Sequence, residues 1–161
     1  MTPNCEFLTD QPAPRTIENS SFGGPGRELH LRRSEEVVPL LDRVEAEMAV
    51  RGYPSRTCRE LRLVLEEAVV NGLKHGNGGD PTKRVHVRYR VGPDAVFVEV
   101  EDEGLGFDLS DVPDPTDPGN WDRPSGRGLL LMRHYMSEVA FTGRGNCVSM
   151  SKLFRNTNGK K

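Results

Sequence analysis

Apolar positions recur at two different periods along this chain, and the switches between them mark out its elements. From Leu61 to Asn77 the sequence LRLVLEEAVVNGLKHGN has helical spacing. At about 100° per residue, Leu61, Val64, Leu65, Ala68 and Gly72 share one face, with Leu63 and Val70 adding apolar bulk on the far side. A helix apolar on two sides is covered on two sides. Glu67 and Asn71 lie one turn apart on the remaining stripe, while Arg59, Arg62 and Glu66 project from a separate, solvated face. Glu67, rather than Glu66, is therefore the acid set among apolar neighbours. A carboxylate and an amide there are costly unless something charged or hydrogen-bonding meets them. Two readings satisfy this requirement: a metal-bound ligand, or a helix with two internally satisfied core polar residues.

The same period appears at Val37, Leu40, Leu41, Val44 and Met48, predicting an amphipathic helix with Ser34 as its N-cap, Pro39 near its first turn and Arg51-Gly52 at its end. Ser55 is the expected cap of the Glu67 helix, and Gly76, Gly78, Gly79 and Pro81 terminate it. Period two appears three times. Leu29 and Leu31 make Arg27 to Arg32 a short half-buried strand, in which His30 reads as a surface residue rather than a ligand. Val85, Val87, Tyr89 and Val91 face inward, opposite Arg84, His86, Arg88 and Arg90. After the Gly92-Pro93-Asp94 turn, Val96, Val98 and Val100 repeat the pattern, with Glu99 and Glu101 placed to pair with the arginines across the ladder.

Two residues beyond Val100 stands Asp102, a carboxylate continuing a valine face just where the strand breaks into Gly104-Leu105-Gly106. From Asp108 to Ser125 there are four prolines, five aspartates and no apolar period. Compact domains rarely keep so long an irregular loop except as a lid or binding segment. Ser125-Gly126-Arg127-Gly128 leads into a helix over Leu129 to Met136 whose glycine-rich start can present bare N–H groups to an anion. Val139 and Phe141, then Val148, Met150 and Phe154, predict a closing hairpin around Gly143 to Asn146.

Composition narrows the possibilities. The 161 residues suffice for one domain, expected over 27–155 between a Pro/Gly/Ser-rich leader (1–26) and a polar tail (156–161). A formal net charge of −2 argues against an electrostatic nucleic-acid binder, so Lys83, Arg84, Arg88 and Arg90 read as a solvated sheet face. The three cysteines, Cys5, Cys58 and Cys147, form no CxxC pair and are expected as reduced thiols. No apolar run approaches the roughly 18 residues of a membrane span and no signal peptide is evident, so a cytoplasmic location is expected.

Three features thus follow in order: the Glu67/Asn71 stripe, Asp102-x-Gly104-x-Gly106 and Gly126-x-Gly128. No G-x-G-x-x-G follows a strand, and no G-x-x-x-x-G-K-[ST] phosphate loop is present. Taken together, EAVVNGLKHGN (Glu67 to Asn77), EDEGLGFD (Glu101 to Asp108) and SGRGLLLM (Ser125 to Met132) resemble the three boxes of the Bergerat-fold ATPases, the superfamily of gyrase and the sensor histidine kinases. Within it they look like the small anti-sigma factor serine kinases of bacterial partner-switching systems. The likeness covers roughly Leu29 to Phe154. It implies an α/β two-layer sandwich, with helices on one face of a mixed, mostly antiparallel sheet and ATP held between them beneath a lid.

Carried over residue by residue, the resemblance implies that Asn71 holds a magnesium ion bridging the phosphates and that Asp102 accepts the adenine amino proton. Gly104 and Gly106 let backbone pass close to the nucleotide, Gly126, Arg127 and Gly128 line the phosphates, and Glu67 is the base for an acceptor hydroxyl. One of Arg123 and Arg127 touches the terminal phosphate. His75 fits the motif, with loop capping and chemistry both open. The implied function is a serine/threonine kinase using ATP and Mg2+ to phosphorylate an anti-sigma antagonist, with a sigma factor as second partner, a homodimer, and no direct contact with nucleic acid or membrane. The alternative is a non-catalytic, ATP-gated protein-binding module, against which Glu67 speaks. The catalytic half of a histidine kinase ranks last, because the leader is too short and too Pro-rich to supply a helical hairpin bearing a phosphoacceptor histidine.

Overall fold

The computed structural model describes residues 26–106 and 127–154, with the backbone alone at Arg127. All but the last residue of the expected leader, the loop from Asp108 to Ser125 and the tail 156–161 lie outside the described residues.

The elements run β1 (Arg27–Leu31), α1 (Val37–Val50), α2 (Ser55–Asn71), β2 (Val85–Val91), β3 (Ala95–Asp102), α3 (Arg127–Tyr135), β4 (Glu138–Thr142) and β5 (Cys147–Leu153). The five strands form one sheet in the order β1-β2-β3-β5-β4, and every pairing among the described residues is antiparallel. The helices and one face of the sheet share a single apolar core, which gives the expected α/β two-layer sandwich.

Alternation decides which sheet face is covered. Val85, Val87, Tyr89 and Val91 are buried, and the register pairs Val87 with Val100, Tyr89 with Val98 and Val91 with Val96, so one valine-rich face runs across both strands. Leu40, Leu41, Val44 and Met48 of α1 and Leu61, Val64, Leu65 and Ala68 of α2 are buried against it. Each such side chain contributes about 1.5–3 kcal/mol on burial, and it is this packing, more than intrinsic propensity, that fixes helices of such length. Tyr89 is the polar exception in the layer. Its ring is fully buried and its hydroxyl donates to Glu47 Oε1 at 3.0 Å, while burial pushes the phenol up to about 12. Glu47 also takes Arg27 at 2.7 Å, so β1, α1 and β2 meet at one carboxylate.

The outward face behaves as the charges suggested. Arg88 donates to Glu99 at 2.6 Å and to Glu101 at 3.1 Å across the β2–β3 ladder. Between the helices, Arg62 donates to Asp42 and Glu45 of α1, both at 2.8 Å.

Several local expectations need correction. Ser34 does not cap α1 directly but opens a single tight turn, Ser34–Glu36, whose entrance is held by the Glu36 carboxylate accepting from the N–H groups of Arg32 (2.7 Å) and Arg33 (3.1 Å). Ser55 is already the first residue of α2; Pro54 occupies the cap position, and its carbonyl accepts from Cys58 N–H at 3.0 Å. The second apolar side of α2 is open at Leu63, which is 39% exposed, because α1 packs beside that helix without reaching over it. Finally, α2 keeps α geometry only to Asn71. From Gly72 to Gly76 the coil widens, ending in a bond from Asn77 N–H to Gly72 O at 2.8 Å, five residues back.

Candidate functional site

The widened turn exists where β3 ends. Gly72 lies against Val85 and within 3.6 Å of the Asp102 Cβ, as measured from where its own Cβ would stand, and a Cβ on Gly76 would fall on the Asp102 carboxyl group. A regular helix with side chains at both positions could not accommodate that carboxylate. Two glycines make the close passage sterically free, and a wide turn of this kind is often found at functional sites.

Asp102 itself is partly buried at the end of the valine face. Its Oδ1 accepts from Gly104 N–H at 2.9 Å. Burial pushes its carboxyl above the usual carboxylate range, and the Gly104 N–H and the Arg144 guanidinium act in the opposite sense. Gly104 is required by space, since a Cβ there would strike the Gly76 carbonyl. Gly106 is required twice, by its left-handed φ of 80° and by the Arg144 carbonyl against which it lies.

The turn between β4 and β5 grips this break from the other side. Asp102 N–H donates to Asn146 O at 2.9 Å, the Asn146 amide donates back to Asp102 O at 2.8 Å, and Arg144 donates to Gly104 O at 3.0 Å. From the helix side Asn77, only 4% exposed, accepts from Glu103 N–H at 2.9 Å and donates to Arg84 O at 3.0 Å. The strand break is thus held by one amide from each flank.

In the last turns of α2 the expected register holds. Glu66 is exposed, whereas Glu67 and Asn71 are partly covered, and among the described residues neither of these two side chains makes a hydrogen bond. What covers them is the start of α3. A Cβ on Gly128 would stand 2.9 Å from the Asn71 amide nitrogen and 3.3 Å from Glu67 Oε2. The first turn of α3 therefore sits directly on the acid–amide pair. Asn71 and Gly72 are consecutive residues, so the last turn of α2 and the wide turn after it bring the acid–amide pair and the Asp102 contacts next to each other.

Of the residues singled out from sequence, Glu67 and Asn71 meet Gly128, Asp102 and Gly104 meet the Gly72–Gly76 turn, and Gly106 lies against Arg144. Gly126 and Arg123 lie outside the described residues, and of Arg127 only the backbone is described. His75 is exposed. Sequence reasoning missed Gly76, Asn77, Arg144 and Asn146. Gly76 stood in a glycine cluster that reads as a helix stop, and Asn146 in one that reads as a hairpin turn. Asn77 alone left a signal, an amide closing the helical box where a side chain able both to donate and to accept can join two loops.

Comparison with known proteins identifies the family. Residues 32–152 match the histidine kinase-like ATPase domain family. The chain is 28% identical over 137 residues to an anti-sigma F factor of Geobacillus stearothermophilus, covering 79% of this chain and 92% of that protein. It is 32% identical over 109 residues to the serine-protein kinase RsbW of Bacillus licheniformis, covering 63% and 68% respectively. A crystal structure of the RsbU and RsbW domains of Rv1364c from Mycobacterium tuberculosis superposes with a TM-score of 0.50 at 14% identity, over 80% of this chain and 32% of that one, which speaks to the fold alone. With three quarters of its length matched, the chain belongs to the histidine kinase-like ATPase domain family.

Proposed function

We propose that this protein is an ATP-dependent serine/threonine kinase of the anti-sigma factor type, acting on a serine or threonine of a protein antagonist and holding a sigma factor when that antagonist is absent. The observation that carries the reading is the junction of α2 with its wide turn. Asp102 stands against Gly72 and Gly76 of the turn, and Glu67 and Asn71 in the last turns of α2 stand against Gly128, an arrangement suited to adenine beside Asp102 and phosphates beside Gly128. The names of the relatives, anti-sigma F factor and serine-protein kinase RsbW, support the substrate class.

The chemistry follows from the side chains. Among the described residues Asp102 is the one carboxylate on the covered, valine-rich sheet face, with a single backbone donor on Oδ1, and its remaining acceptor capacity suits an exocyclic amine. Adenine carries that amine and guanine places a carbonyl there, so the group selects ATP over GTP. At the opposite end the bare backbone of Gly128 leaves no side chain between the start of α3 and the acid–amide pair, and a helix start favours anions. Asn71, an oxygen donor without a hydrogen-bond partner among the described residues, fits a magnesium ligand, the ion supplying charge neutralisation at the phosphates. Glu67, one turn away, is placed to accept the proton of an incoming hydroxyl. Positioning and charge neutralisation account for most phosphoryl-transfer catalysis, and the base contributes the remainder.

The test is calorimetric titration with ATP and GTP with and without magnesium, followed by mapping of phosphorylated serines and threonines in partners co-purified from the native host and incubated with labelled ATP. Selective, magnesium-dependent ATP binding with transfer to a partner hydroxyl is the expected result. Selective binding with no transfer to any partner would instead favour the ATP-gated binding module.

A further inference from the structure

On the sheet face turned away from the helices, His30 of β1 and His86 of β2 are direct cross-strand partners, and their Nδ1 atoms stand 2.6 Å apart. The rings meet nearly edge to face, at 81°, with centroids 4.7 Å apart. Each ring has a carboxylate at its other nitrogen. Glu103 Oε1 lies 3.6 Å from His86 Nε2, and Glu28 Oε1 lies 3.8 Å from His30 Nε2. Glu103 is itself anchored, because its second oxygen accepts from Arg84 N–H at 2.5 Å. Glu103 facing Nε2 of His86 favours the tautomer with its proton there, which leaves a lone pair on His86 Nδ1 aimed at His30 Nδ1. The two Nδ1 atoms hold this distance only with a positive centre between them. A proton would serve, and so would a metal ion.

We propose that His30 and His86, with Glu28 as third ligand, form a binding site for a divalent transition metal of the zinc type. One ligand atom from each of these three residues lies within 4.8 Å of the others. Two imidazoles and one carboxylate match zinc, which takes a water as fourth ligand, and suit magnesium or calcium poorly, since those ions favour all-oxygen shells. Tetrahedral zinc with bonds of about 2.0–2.1 Å sets its ligand atoms roughly 3.3 Å apart, so the two nitrogens would part by roughly 0.7 Å. His30 is exposed and His86 partly so, which leaves both rings room to rotate. Glu28 also faces Arg88 at 3.6 Å, but Arg88 keeps Glu99 and Glu101 when Glu28 turns to a metal. The ligands come from two strands, so an ion there fastens the edge strand β1 to β2. The three ligands lie outside the nucleotide site, although Glu103, which faces His86, directly follows Asp102 in the chain.

The experiment is calorimetric titration of the full chain, stripped with chelator, with zinc chloride alone. One zinc per chain is expected, with a raised melting midpoint. His30→Gln and His86→Gln should each weaken binding at least tenfold, and Glu103→Gln by about 10- to 100-fold through the orientation of His86. His134→Gln, on α3, should leave zinc binding unchanged. Retained ATP binding would show that the variants are folded. Cobalt substitution in the unaltered chain gives a second measurement, whose spectrum should show nitrogen and oxygen coordination without a thiolate charge-transfer band. Absence of saturable binding below about 100 μM zinc, far short of structural zinc affinities, would mean that the pair shares a proton only and would overturn the proposal. So would binding that survives in the double histidine variant, or a thiolate band, since either would place the metal at other residues.

Discussion

Gly76 and Asp102 are in contact across the join between helix and strand: the carboxyl group of Asp102 occupies the space that a side chain at residue 76 would need. Gly76→Ala must therefore move either the wide turn or the carboxylate. Overpacking of this kind typically costs about 1–3 kcal/mol, and both escapes displace the proposed adenine acceptor. A lowered melting midpoint and weakened ATP binding are expected together, by thermal denaturation and calorimetry. Unchanged ATP affinity would show that Asp102 is not the adenine contact.

Asp102→Asn separates function from stability. Burial raises the Asp102 carboxyl above its ordinary value in the folded protein, so the folded state holds that proton more tightly than the unfolded chain. The sign follows directly. The group costs no stability in acid, and the cost develops as pH rises from the usual carboxylate value through the raised one, remaining at neutral pH. An isosteric amide removes it while still accepting from Gly104 N–H. The variant without nucleotide should melt at the same temperature as the parent or higher at pH 7, yet bind ATP more weakly by about 1.5–3 kcal/mol. Equal ATP and GTP affinity in the parent would oppose the assignment.

Glu67, Asn71 and Glu66 form a comparison within one turn of α2. Glu67→Ala should lower the rate of phosphoryl transfer by about 10²–10⁴ while leaving ATP binding largely intact. Asn71→Ala should lose magnesium dependence and transfer together. Glu66→Ala, on the exposed face, should alter neither. The converse pattern, with Glu66 essential and Glu67 dispensable, would sink the catalytic assignment.

Asn77 carries no proposed chemistry but joins the helical box to the strand break. Asn77→Ala leaves Glu103 N–H and Arg84 O without their present partner, a loss of about 1–3 kcal/mol for each buried group left unsatisfied. Asn77→Asp keeps the acceptor but loses the donor and buries a charge facing Arg84 O, so at neutral pH it should be at least as destabilised as Asn77→Ala in chemical denaturation. Equal stability of all three would mean that water replaces the amide without cost.

Much of this was legible in the sequence because burial imposes periodicity. The alternation of β2 and β3 and the helical face of α2 name the buried side chains directly, and the same patterns expose Asp102 and Glu67 as polar residues out of place. Close approach leaves a fainter trace. A glycine that ends a helix and one that clears space for a carboxylate look alike until strand and helix are brought together, which is why Gly76 read as a stop. Arg144 and Asn146 act through main-chain contacts with residues some forty positions earlier, and hydrogen bonds to backbone make no demand on the partner's side chain, so no pattern at Asp102 or Gly104 points to them. Ser55 shows the opposite error: a good capping residue was present, but the chain direction set by Pro54 placed it one position inside the helix.

The bond from Asn146 to Asp102 links residues 44 positions apart, which has a consequence during synthesis. At about 5–20 residues per second, the ribosome delivers Asp102 roughly 2–9 s before the turn that grips the strand break, and Glu67 and Asn71 earlier still. β3 stands in the middle of the sheet, and until β5 arrives one of its edges is open. A nascent chain thus holds the polar groups of the site before the hairpin that fixes the strand break is in place.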